Sequence, residues 1–148
     1  MKAGQTSMEY LLVVAIVLLI LLPGIFLFYS QSQRTNADLG VKQLQKIGHD
    51  IVDNAEIVYR LGPPSRLVLK ESFPDNLANL SIINDPAQKI YELVFVSRLG
   101  GLPSESSFPS DVDIRGIFTQ EDYSGGLKNV KVEAKRDGTG TYVEISID

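Results

Sequence analysis

The chain has 148 residues, 44% of them apolar, a net charge of −4 and no cysteine. Disulfides and Cys-ligated metal sites are therefore excluded, and no basic patch or run of like charge supplies the footprint of a nucleic-acid binder. One membrane-spanning helix leaves room for a single further domain of about 100 residues.

The first element is the apolar block from Tyr10 to Tyr29, 20 residues with no charged side chain. At about 1.5 Å per residue such a helix covers roughly 30 Å, the thickness of a bilayer's hydrocarbon core. A cleaved secretory signal would carry an apolar core of only about 7 to 15 residues and a small-residue cleavage site. Here the sole candidate site is Ser30-Gln31-Ser32. A plain signal anchor fits the length but leaves the polar run Gly4 to Glu9 without a purpose. Glu9 is the unusual residue, because a carboxylate at the edge of an apolar span is costly and marks function by default.

The run Gly4-Gln5-Thr6-Ser7-Met8-Glu9-Tyr10-Leu11 resembles the class III signal peptide of archaeal type IV pilins, a short basic leader ending in Gly followed by Gln-x-Ser-x-Glu and a long apolar run. Lys2 is the leader's charge, and Gln5, Ser7 and Glu9 occupy the three fixed polar positions. The resemblance covers roughly the first thirty residues. It implies a leader over residues 1–4, removed by a prepilin peptidase that cuts between Gly4 and Gln5, and a transmembrane and filament-core helix over residues 5–30. It further implies partners: further copies of the chain in a helical filament, a pilus assembly ATPase and its membrane platform. In such an assembly the new α-amino group and Glu9 can pair, partly between subunits, which would satisfy a carboxylate in an apolar core. The simpler role for Glu9 is to complement the positive end of its own helix.

Pro23-Gly24 falls well inside the apolar block, where a proline removes one backbone hydrogen bond and should kink or loosen a helix. Pro23 is accordingly a candidate assembly residue. From Leu39 onward apolar residues return at helical spacing: Leu44, Ile47, Ile51, Ala55 and Val58 form a stripe that Val52 and Tyr59 widen. This predicts an amphipathic helix over residues 31–61, closed by Gly62-Pro63-Pro64. If helix runs from Gln5 to Arg60 it is on the order of 80 Å long, and the expected shape is a pilin-like lollipop. His49, the only histidine, reads as a surface residue of this helix.

The remainder, residues 65–148, reads as an antiparallel β-rich head, a sheet or small sandwich of about five or six strands. Strands are expected at Leu67–Phe73, Leu80–Ile83, Lys89–Arg98, Ile114–Gln120, Asn129–Lys135 and Thr141–Ile147. Lys89–Arg98 is apolar on both faces and should be central, and Arg136-Asp137-Gly138-Thr139-Gly140 should be a hairpin turn. Leu99–Asp111, rich in Gly, Pro and Ser, reads as a long exposed loop suited to binding or lattice contacts.

No catalytic constellation, cofactor motif or metal-ligand spacing appears. The turn carboxylates Asp111, Asp113, Glu121, Asp122 and Asp137 lack the spacing of a calcium loop, and Gly100-Gly101 and Gly125-Gly126 lack the further glycines of a phosphate loop. Asn79-Leu80-Ser81 is a glycosylation sequon. The expected protein is thus an α+β, non-enzymatic filament subunit, in the membrane before assembly and outside the cell after it. Two alternatives stay open, a minor pilin or pseudopilin and an uncleaved membrane-anchored surface binding domain.

Overall fold

The computed structural model describes the backbone of residues 2–99 and 102–148, and the side chains of residues 8–32, 39–98 and 102–148. Two compact units result, one ending at Asp38 and one spanning Leu39–Asp148. The architecture is α+β: a helix α1 (Lys2–Leu61) contributes to both units, and seven strands follow in the second.

The helix ends where the glycine and prolines require. Gly62 takes φ +74°, a conformation open to a residue without Cβ, and its N–H donates to Val58 O and Tyr59 O, both at 3.1 Å. Pro63 and Pro64 cannot continue the helical ladder. Within the second unit the stripe Leu44, Ile47, Ile51, Ala55 and Val58 is at most 2% exposed, so the spacing alone identified the buried face.

The strands are β1 (Arg66–Phe73), β2 (Leu77–Asp85), β3 (Ile90–Leu99), β4 (Leu102–Pro109), β5 (Ile114–Arg115), β6 (Gly126–Asp137) and β7 (Gly140–Ile147). They form a four-stranded sheet in the order β1-β6-β7-β5 and a three-stranded sheet in the order β2-β3-β4. All pairings are antiparallel except β5 with β7. Alternation sends one side chain in two to the core: Leu67, Val132 and Ile145 stand in one cross-strand row, and Leu69, Val130 and Ile147 in the next. In the second sheet Ile82, Leu93 and Phe108 form a row, beside Leu80 and Phe95. Each fully buried aliphatic or aromatic side chain contributes about 1.5–3 kcal/mol.

Two seams close the layers. At one, Asn84 Nδ2 on β2 donates to Asp113 Oδ1 at 2.6 Å and to Ile114 O at 2.8 Å, fastening the second sheet to β5. At the other, the helix touches both sheets: Gln43 Nε2 donates to Ser72 O of β1, and Phe108 of β4 packs on Gly48 and edge-on to His49, ring centroids 5.1 Å apart. His49 is exposed, as its setting on the polar side of the stripe predicts.

Three expectations are corrected. The segment Leu99–Asp111 is not a long loop, since Leu102–Pro109 is the strand β4; Gly100 and Gly101 lie outside the described residues. Prolines are tolerated on an outer strand, whose second edge needs no donor, and this masked the alternation that buries Phe108. The expected strand Ile114–Gln120 shrinks to Ile114–Arg115, because Asp122 Oδ2 accepts from Thr119 N and Oγ1 at 2.6 and 2.9 Å and folds the chain into a turn. Leu80–Ile83 extends to Leu77–Asp85. The helix runs through Pro23, since only one bond of the ladder is lost there. The predicted β6–β7 turn, by contrast, is present: Asp137 Oδ1 accepts from Thr139 N at 2.9 Å and Gly140 N at 3.1 Å.

Candidate functional site

The feature least explained by folding is the segment Met8–Ser32 of α1, none of which is buried against the rest of the chain. Its apolar residues face outward all round: Leu19, Phe26 and Phe28 are 73%, 71% and 79% exposed. A helix with no polar side is stable only inside an apolar medium or against other helices, and this one, at about 37 Å, is long enough to cross a bilayer. Ser30 Oγ donates to Leu27 O at 3.0 Å, so the hydroxyl at its far end is satisfied within the helix. Glu9, at the near end, is exposed.

The expected signal residues have unequal standing. The backbone of Gly4, Gln5 and Ser7 belongs to α1, while their side chains lie outside the described residues. Pro23 sits within the exposed apolar segment. Asn79, the sequon residue, is exposed on β2 just beyond a register irregularity between Leu77 and Asn79, so its amide is accessible.

In the second unit the strongest electrostatic feature is a carboxylate clamp on Arg115. Its Nη2 lies 2.6 Å from Asp113 Oδ2, its Nη1 lies 2.7 Å from Asp137 Oδ2, and its guanidinium stacks 4.1 Å from the Tyr142 ring centroid. The bonds to Asp113 and Asp137 hold Arg115 more firmly protonated. The Thr139 hydroxyl and N–H, then Arg115, hold the Asp137 carboxyl well below the usual carboxylate range. A second cluster joins Glu71 of β1 to Lys46 and Asp50 of the helix: burial pushes the Glu71 carboxyl up, with Lys46 opposing. Among the described residues no group of three or more His, Cys, Asp or Glu could hold a metal ion. Asp113, Asp122 and Asp137 are instead engaged by the chain's own donors.

A cleft of about 310 Å³ opens where three segments converge. Asp75 and Asn76 come from the β1–β2 turn, Arg98 from the end of β3, and Gln120, Tyr123 and Ser124 from the chain between β5 and β6. No spacing signal could have found it, since its residues are scattered over 50 positions and none belongs to a local motif.

Fold and site together define a class: an α+β chain with an N-terminal apolar helix long enough to cross a membrane and a β-rich domain of two sheets. No protein-family model, curated protein or solved structure matches the chain.

Proposed function

We propose that the chain is the structural subunit of an archaeal type IV-like pilus. It is made as a membrane-inserted prepilin, trimmed between Gly4 and Gln5 and polymerised through its N-terminal helix. The observation that supports the reading is the unburied apolar helix Met8–Ser32, whose start overlaps Gln5-x-Ser7-x-Glu9. Such a helix can exchange lipid for copies of itself, because packing among apolar helices replaces acyl-chain contacts. Glu9 gains an amine partner from the processed terminus, and the second unit, with its own core, stands outside the cell.

An uncleaved membrane-anchored binding domain is the second reading, favoured by the polar cleft between the turns. N-terminal mass analysis of protein sheared from the cell surface separates the two. A chain beginning at Gln5 in filaments supports the subunit; a chain that keeps residues 1–4 and remains with the membrane supports the anchored domain.

A further inference from the structure

The cleft walled by Asp75, Asn76, Arg98, Gln120, Tyr123 and Ser124 has the chemistry of a preformed small-ligand site. Both of its turns are fixed by internal bonds. Leu77 N donates to Pro74 O at 3.2 Å and Arg98 N to Asn76 O at 2.9 Å. On the opposite wall Ser124 Oγ and Lys128 Nζ donate to Glu121 O at 2.8 and 2.7 Å. Gly125 lets the walls approach, since a Cβ there would come within 3.0 Å of the Asp75 Cα.

Among the described residues, the cleft brings an unpaired guanidinium and an unpaired carboxylate to one place. Lys46, Arg60, Arg115, Lys131 and Lys135 each have a carboxylate partner. Neither the Arg98 guanidinium nor the Asp75 carboxylate has a hydrogen-bond or ion-pair partner among the described residues. Next to them lies the one buried side-chain polar atom found without a partner among those residues, Asn76 Oδ1. The Asn76 amide packs beside Gly40 of the helix, and a side-chain rotation toward the cleft would let a ligand donor satisfy its buried oxygen.

We propose that this cleft binds one acidic sugar residue, a hexuronate. Arg98 takes the carboxylate in the forked geometry a guanidinium provides. Asp75 accepts from ring hydroxyls, the Asn76 and Gln120 amides both donate and accept, and Tyr123 supplies the apolar and aromatic surface. The volume is near the lower end for ligand clefts, which suits a single sugar unit of a longer glycan. A phosphate is disfavoured because its second charge would meet Asp75 with only one guanidinium opposite. The assignment does not rest on polymerisation.

The test is calorimetric titration of the full chain in detergent micelles with digalacturonate, with galactose and acetate as controls. Digalacturonate should bind, both controls should bind roughly tenfold or more weakly, and Arg98→Gln should weaken digalacturonate binding roughly tenfold or more without lowering the melting temperature. Asp75→Asn should weaken digalacturonate binding relative to acetate binding, because it removes the acceptor for the ring hydroxyls while relieving repulsion of both carboxylates. Absence of digalacturonate binding, undiminished binding by Arg98→Gln, or acetate binding equal to digalacturonate would each overturn the assignment, the last reducing the cleft to an anion contact on Arg98.

Discussion

Gly48 shows how a single residue sets the spacing of the domain. A Cβ at this position would lie 2.5 Å from the Phe108 ring, and Phe108 is itself held by Phe95, 5.4 Å away between centroids. Gly48→Ala should therefore lower stability by about 1–3 kcal/mol through overpacking, although alanine is intrinsically the better helix former by about 1 kcal/mol. Thermal denaturation of the full chain in micelles, followed by circular dichroism, measures it, and a gain in melting temperature would count against this packing. Two carboxylates should respond to pH in opposite senses. Asp137 is depressed, so its contribution is present above the ordinary carboxylate pKa and is lost as pH falls through its lower folded value. Glu71 is raised by burial, so its contribution is present below the ordinary value and is lost as pH rises through the folded one. Melting curves from about pH 1 to 7 should show Asp137→Asn flattening the acid loss and Glu71→Gln raising the melting temperature at neutral pH.

At the scale of elements, the outer strands are guarded. Ser110 N donates to Tyr91 O, and alternation from that pair turns the backbone of Pro103, Glu105, Ser107 and Pro109 away from β3, so two of four outward positions carry no donor. On β1 the Ala134 N–H bonds Ser65 O, which places Arg66, Val68, Lys70 and Ser72 on the free edge, where two basic side chains and the Gln43 bond to Ser72 oppose strand addition. The short strand β5 depends on Gly116, whose Cβ would meet Ile145 O at 2.6 Å. Gly116→Ala should push β5 off β7 and speed amide hydrogen exchange at Val143, whose N–H donates to Asp113 O at 2.8 Å. Unchanged exchange there would argue that the contact is slack.

These elements also show what could be read in the sequence. The helical stripe from Leu44 to Val58 and the Asp137–Gly140 turn were legible because each depends on a local period or a local bond. Strand β4 was not, since Ser104 and Ser106 occupy its inward positions and only Phe108 is both inward and apolar. Strand β5 was overextended because Ile117 and Phe118 are β-favouring, yet the Asp122 side chain makes a turn just beyond them. The apolar helix could be read directly from its unbroken composition, whereas the cleft depends on tertiary convergence of Asp75, Arg98 and Tyr123.

For the molecule as a whole, guarded strand edges and an unguarded apolar helix assign association to different parts. The outer edges of β1 and β4 oppose strand addition, whereas Met8–Ser32 is unburied, so the apolar helix is the surface best suited to association. Leu18→Arg places a charge near the middle of that segment at a cost of about 2.5–3.5 kcal/mol, and it should reduce membrane insertion in a fractionation experiment. On the proposed filament-subunit reading, Glu9→Ala should leave insertion and processing intact while reducing surface filaments seen by electron microscopy. Normal filaments from that variant would remove the pairing role of Glu9.

The β2–β3 turn has a practical use. Asp85 Oδ1 accepts from Ala87 N at 3.0 Å and Gln88 N at 3.2 Å, and residues 86–90 are all exposed. A foreign epitope grafted between Ala87 and Gln88 would occupy solvent beyond a pair of strands whose register is fixed by eight cross-strand partners. If the chain polymerises as proposed, the epitope would be displayed once per subunit, as a regularly spaced antigen array.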